Sequence, residues 1–219
     1  MPTIAILPIK SFDESKQRLV SALSGGPRRA LAEAMFADVL VALRRAESID
    51  EVVVVSSSNT AQQIAAGHGA TVIEDQGTGH SDAAAIGIDY AVEAGAPRTL
   101  LVPGDCPLLD PAEIDELTAR PAGPRSAFIV PDRHGTGTNA LLLTPADSLT
   151  PSFGPGSCER HAQLARSQGT AAEVVAVRSL ALDVDTPEDL AALRATLDST
   201  RGGAAHTRGM LTQMTRSQT

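Results

Sequence analysis

The chain has 219 residues, a formal net charge of −8, 2% aromatic residues and no tryptophan. This length suits a single α/β domain with a full core. The acidic balance leaves no basic footprint for nucleic acid, the scarcity of aromatics removes the stacking platforms that single-strand binders use, and the longest apolar runs fall far short of a membrane span.

In chain order, Ile4 to Leu7 is a continuous apolar run, the pattern of a strand buried on both faces. The polar loop that follows holds Lys10, Lys16 and Arg18, and it contains the only two lysines of the chain; every other cation is arginine. A lysine is a compact, mobile point charge suited to a phosphate that moves during a reaction. Pro27 can open a helix, in which Leu31, Met35, Val39 and Leu43 recur at helical spacing as far as about Ala46. Val52 to Val55 reads as a second buried strand. Asn59 is the expected cap of a short helix ending near Gly67 and Gly69, and Ala70 to Ile73 as a third strand. A loop with Gly77 and Gly79 precedes Asp82, the expected cap of a helix to about Ala94 that Gly95 stops. Thr99 to Val102 is the fourth strand, leaving through Pro103-Gly104-Asp105-Cys106-Pro107. Asp110 caps the next helix, with Pro111 in its first position.

The second half changes character. Ser126 to Val130 and Ala140 to Leu143 read as strands, the latter antiparallel, joined through His134-Gly135-Thr136-Gly137-Thr138. A Pro/Gly-rich loop from Thr144 to Ser157 leads to a helix over about Cys158 to Ser167. Val174 to Val177 and Leu180 to Leu182 read as short strands. Thr186, Pro187 and Asp189 start a last helix with a capping box. Residues 1–198 form one domain on this reading, and residues 199–219, low in complexity and without an acid, are expected to be a disordered tail. Cys106 and Cys158 lack metal-ligand spacing, and no leader is legible, so free thiols in a cytoplasmic protein are expected.

The βαβαβ opening implies a parallel, Rossmann-like sheet flanked by helices, with ligands beyond the carboxyl ends of its strands. The Lys10 loop, Ser56–Ser58, the Gly77–Asp82 loop and Asp105 then share one rim. A dinucleotide-binding reading fails, because no G-x-G-x-x-G follows the first strand. Asp105, at a strand end, is placed to hold Mg²⁺, which favours one or two carboxylates plus substrate phosphates. Asp183 and Asp185 alternate and are expected on one strand face, one of them completing the metal site. Gly135 to Thr138 and Phe153 to Ser157 offer backbone N–H groups and hydroxyls that suit anions. His134 and His161 are weak additions to that side; His68, His80 and His206 receive no role.

Leu7-Pro8-Ile9-Lys10 through Lys16-Gln17-Arg18-Leu19, Pro103-Gly104-Asp105-Cys106-Pro107-Leu108, Asp132 to Asn139, Phe153-Gly154-Pro155-Gly156-Ser157 and Asp183-Val184-Asp185-Thr186-Pro187 together resemble the phosphoenolpyruvate or 2-phospho-L-lactate guanylyltransferases of coenzyme F-420 biosynthesis. The resemblance covers residues 3 to about 197. It implies the nucleotide-diphospho-sugar transferase (glycosyltransferase-A-like) fold with a small antiparallel extension on the acceptor side. It also implies transfer of GMP from GTP to phosphoenolpyruvate, giving enolpyruvoyl-2-diphospho-5′-guanosine and pyrophosphate. By matching positions, Thr138, Gly154 and Ser157 bind the phospho-acid, and Asp105 with Asp183 or Asp185 holds Mg²⁺. Lys16 and Arg18, with Lys10 beside them, neutralise the leaving pyrophosphate, and Ser81 and Asp82 belong to the nucleotide loop. That loop, Gly79-His80-Ser81-Asp82, departs from the Gly-Leu-Asn usual in the family. The alternatives are 2-phospho-L-lactate or 3-phospho-D-glycerate as acceptor, a nucleotidyltransferase for a sugar phosphate or molybdenum cofactor, and a non-catalytic nucleotide-binding protein. A homodimer is compatible with all of these.

Overall fold

The structure is a computed structural model that describes residues 1–12, 16–75 and 79–216. Its centre is a seven-stranded sheet formed by β1 (Thr3–Pro8), β2 (Glu51–Ser56), β3 (Thr71–Glu74), β4 (Arg98–Leu101), β5 (Ser126–Pro131), β6 (Thr138–Thr144) and β7 (Ala171–Val174). The order across the sheet is β3-β2-β1-β4-β6-β5-β7. The strands β1 to β4 run parallel, β6 is antiparallel to both β4 and β5, and β7 is parallel to β5. The helices are α1 (Gly25–Arg45), α2 (Asn59–Gly67), α3 (His80–Glu93), α4 (Pro111–Thr118), α5 (Ser157–Ser167), α6 (Pro187–Ser199) and α7 (Ala205–Arg216).

Strand alternation explains the layers. Ala5 and Leu7, with Val52, Val54, Leu100, Phe128 and Leu142, face a core shared with α1, α2, α4, α6 and α7. Ile4 and Ile6, with Val53, Val55, Leu101, Ile129 and Leu141, face α3 and α5. The continuous apolar runs are thus strands covered on both faces. The caps at Asp110 and Thr186 form as expected: Asp110 accepts from Ala112 N, and Thr186 exchanges bonds with Asp189.

Several expectations are corrected. Ser58, not Asn59, caps α2, its side chain accepting from Ala61 N. Gly79, not Asp82, stands at the N-cap of α3, which puts Asp82 in its first turn. The final strand pairing uses 171–174 rather than 174–177; all four residues of β7 are exposed, so no apolar alternation marks it. Residues 178–180 form a 3₁₀ turn rather than part of a strand. The expected disordered tail contains α7. Thr207, Leu211 and Met214 are buried against the same core as α1, and the carboxylate of Asp38 on α1 accepts from His206 N at 3.0 Å and Thr207 N at 2.8 Å. That carboxylate caps the helix from a distant part of the chain, and tertiary burial compensates for weak local patterning. Among the described residues no helix is long and apolar enough to cross a membrane.

Candidate active site

The antiparallel run of β6 positions the site. Because β6 opposes β4, with Leu101 paired to Leu141, its first residues Thr138 and Asn139 lie at the carboxyl end of β4, where Asp105 stands. Gly104 fixes that end. A Cβ there would lie 2.5 Å from Ile9 Cδ1 and 3.1 Å from Phe36 Cδ2, so a side chain at this position would have to displace the end of Ile9 in the packing beneath Asp105. The segment carrying Asp183 and Asp185 is tied to the same point, Val184 N donating to the Asp105 carbonyl at 3.2 Å.

Asp183 and Asp185 lie outside any strand, so the expected alternation on one face gives way to two different environments. Asp185 accepts from Lys16 Nζ at 2.7 Å, and the same ammonium also pairs with Asp105. Asp183 accepts from Asn139 Nδ2 at 3.2 Å, while that amide also donates to Leu180 O at 2.7 Å. Lys16 is thereby drawn out of its polar loop into a nearly buried position. Burial alone would lower its pKa, but Asp105 and Asp185 more than reverse this and leave it raised. Asp183 moves the other way for a carboxylate that wants to be charged: desolvation first, then Asp105, push its pKa up. Asp105 Oδ1 is buried without a hydrogen-bond partner among the described residues. Among the described residues Lys16 pairs with two of these three carboxylates, and Asp183 is left facing Asp105 without an ion pair.

Those observations fit a divalent cation. The unpartnered Asp105 Oδ1 and the strained Asp183 are the groups with coordination capacity to spare. Among the described residues no group of three or more His, Cys, Asp or Glu side chains is arranged to hold a metal ion, so the fit rests on these two carboxylates. Asp189 braces this side by accepting from Asp185 N, Thr186 N and Thr186 Oγ1 and by pairing with Arg133 at 2.6 Å.

A cavity of about 540 Å³ opens here, lined by Arg18, His80, Asp105, Thr138, Asn139, Gly154, Ser157, Asp183 and Asp185, among others. A smaller one of about 170 Å³, lined by Lys10, Phe12, Lys16 and Met35, meets it at His80, Pro103 and Asp105. The structure therefore brings Lys10, Lys16, Arg18, Asp105, Thr138, Gly154, Ser157, Asp183 and Asp185 to one region. It separates the three cations: Lys10 and Arg18 stay exposed at the edges, and Lys16 lies beneath the carboxylates. Ser81 uses its hydroxyl to accept from Phe153 N at 3.0 Å, and Asp82 lines neither cavity. Ser58 caps α2, and Ser56 accepts from Gln62 and Asp75, so that stretch serves the fold. Gly77 lies outside the described residues.

The acceptor side is more internally bonded than its sequence implied. Asp132 Oδ1 accepts from His134 N and Thr136 N, so those N–H groups are committed to the turn rather than open to an anion. Gly154 adopts φ +111°, a conformation other residues reach only with strain. Arg160 braces the loop around it, donating to the carbonyls of Ser152, Phe153, Gly154 and Pro155. The Phe153 ring stands edge-on between His80, 5.0 Å away, and His161, 5.3 Å away, linking the two halves. No spacing or motif in the sequence assigns His80 a role. Its signal is position: it is the first residue of α3, directly on the rim. Burial lowers its pKa, partly offset by Asp105.

Residues 3–214 match the family model described as "Guanylyl transferase CofC like". A phosphoenolpyruvate guanylyltransferase of Conexibacter woesei is 52% identical over 219 residues, covering 99% of this chain and 98% of that protein. A 2-phospho-L-lactate guanylyltransferase of Methanothermobacter thermautotrophicus is 33% identical over 87% of this chain and 83% of its own length. A 3-phospho-D-glycerate guanylyltransferase of Phenylobacterium zucineum is 35% identical over 84% of this chain and 86% of its own. A solved structure from Desulfovibrio desulfuricans G20, titled as a nucleotide-diphospho-sugar transferase, superposes with a TM-score of 0.74 at 16% identity, over 96% of this chain and 94% of that one, and shows the shared fold. The carboxylate cluster at the end of β4, the cradle beside it and the match across nearly the whole chain agree: this chain belongs to the CofC-like guanylyltransferase family.

Proposed function

We propose that this chain transfers GMP from GTP to the phosphate of phosphoenolpyruvate, releasing pyrophosphate. The observation that carries this reading is the placement of Thr138, Gly154 and Ser157 across one cavity from Asp105, in a chain 52% identical to a phosphoenolpyruvate guanylyltransferase. The acceptor's phosphate is already an anionic nucleophile. One of its oxygens attacks the α-phosphorus of GTP; a P–O bond forms there, the bond to the β-phosphate bridging oxygen breaks, and its electron pair leaves with pyrophosphate. The site therefore needs no general base, only alignment and charge neutralisation.

Asp105 and Asp183 would hold Mg²⁺, which when bound acts as a Lewis acid on phosphoryl oxygens. Lys16 keeps Asp105 and Asp185 in place and adds positive charge beneath the triphosphate. Lys10 and Arg18, exposed at the edges, can follow the departing pyrophosphate. Thr138, Gly154 and Ser157 orient the phospho-acid.

The test is pyrophosphate release with GTP and, separately, phosphoenolpyruvate, 2-phospho-L-lactate or 3-phospho-D-glycerate. The highest kcat/KM is expected with phosphoenolpyruvate. A higher value with either of the others reassigns the acceptor, and release with none of them overturns the reading.

A further inference from the structure

The hydroxyl of Thr138 has its hydrogen-bonding direction set by a buried histidine. His161, on α5, is fully buried and makes one bond from each ring nitrogen. Its Nε2 lies 2.8 Å from Ser152 N. A backbone N–H can only donate, so Nε2 accepts and carries no proton. The neutral ring then carries its single proton on Nδ1, which lies 3.0 Å from Thr138 Oγ1. The reverse arrangement, Thr138 donating to Nδ1, would leave both ring nitrogens unprotonated, which a neutral imidazole does not allow. Thr138 Oγ1 therefore accepts from His161, and its own O–H is left to donate elsewhere. Thr138 lines the cavity that also holds Asp105, Gly154 and Ser157.

We infer that His161 is a positioning residue: through its Nδ1–H tautomer it makes Thr138 a hydrogen-bond donor to the anionic groups of the phospho-acid. The inference rests on the proposed acceptor site but adds the residue that orients it. A hydroxyl free to rotate could present a lone pair to a phosphate or carboxylate; one already accepting from His161 presents its proton. The relay from Ser152 N–H through the ring to Thr138 O–H also polarises in one direction, toward the anion. The surroundings keep the ring neutral and still. Burial, then Arg160, lower its pKa to about 4, and Phe153 packs against it edge-on at 5.3 Å.

Two measurements test this. In the ¹⁵N-labelled full chain at neutral pH, two-bond ¹⁵N–¹H correlations of the His161 ring are expected to show a protonated Nδ1 and an unprotonated Nε2. The opposite tautomer, or an imidazolium, overturns the inference, and this readout needs neither turnover nor a known acceptor. In kinetics, His161→Leu is expected to raise KM for phosphoenolpyruvate about 10-fold, the scale of one hydrogen bond to a charged group, with KM for GTP within about twofold. His161→Asn, whose amide N–H can occupy the Nδ1–H position, is expected to recover part of that loss. Because the effect passes through Thr138, Thr138→Val combined with His161→Leu is expected to be no worse than Thr138→Val alone. Additive losses in the double variant, or equal damage from Leu and Asn, would assign His161 a packing role instead. Absence of turnover with every phospho-acid would overturn the acceptor assignment, while the ring measurement would still decide the tautomer.

Discussion

The two sides of the cavity are prepared for their ligands in opposite ways. On the acceptor side, Arg160 braces the carbonyls of 152–155, Asp132 closes its own turn, and both nitrogens of His161 are bonded. On the carboxylate side, Asp105 Oδ1 has no hydrogen-bond partner among the described residues, Asp183 resists ionisation, and Lys16 holds Asp105 and Asp185 together. The first is a rigid mould that selects by shape and hydrogen bonding. The second holds closely spaced carboxylates, the arrangement that on the proposed function a cation and a triphosphate would relieve. On the proposed function, preorganisation on one side would serve specificity and charge on the other would serve catalysis.

The largest expected effect strikes the carboxylate side. Asp105→Asn should lower turnover by about 10³-fold or more, since several kcal/mol of charge stabilisation depend on it, with an unchanged circular dichroism spectrum. Near-normal turnover in a folded Asp105→Asn protein would break the comparison. Arg160→Ala attacks the mould. Losing a charged donor to four carbonyls should raise KM for the phospho-acid by about 10–100-fold and leave KM for GTP nearly unchanged. Equal effects on both substrates would show that the two sides are not separable.

Asp183→Asn tests the carboxylate side through stability. The folded state raises the pKa of Asp183, so ionising it costs folding free energy. That cost is absent below the ordinary carboxylate range and grows as pH rises from there through the raised value. The variant should therefore melt a few degrees above the parent at neutral pH, with the gain vanishing in acid, while losing activity. A lower melting temperature at neutral pH would mean that Asp183 is not under strain. The smallest effect lies outside both regions. Asp38→Ala removes the acceptor for His206 N and Thr207 N, so the melting temperature should fall by about 2–4 °C, the scale of a cap worth about 1 kcal/mol, with kcat and KM unchanged.

What could be read from the sequence follows the same division. Strands β1 and β2 were legible because each is covered on both faces and shows a bare apolar run, and the starts of α4 and α6 because Asp110 and Thr186 mark them within a few residues of themselves. The α7 segment was not legible, because its cap sits on α1 and its burial depends on that helix; locally the segment shows only scattered apolar residues. Strand β7 was misplaced because its exposed residues carry no alternation. In the site, motif positions placed Asp105, Thr138, Gly154 and Ser157 in one cavity. The destination of Lys16 could not be seen, since a lysine in a polar loop reads as exposed until its two aspartates, 89 and 169 positions away, are brought to it. Arg160 stands one turn inside α5 from Ser157, and only the folded loop reveals that it serves backbone carbonyls.

The central claim is that the carboxylate side delivers a guanylyl group to a phospho-acid held by the mould. ³¹P NMR of the protein with GTP, phosphoenolpyruvate and Mg²⁺ tests it directly. The account predicts paired resonances of an unsymmetrical diphosphate growing in step with an equal amount of pyrophosphate, and no GDP. Formation of GDP and inorganic phosphate, or no change in GTP with any of the three phospho-acids, would contradict it.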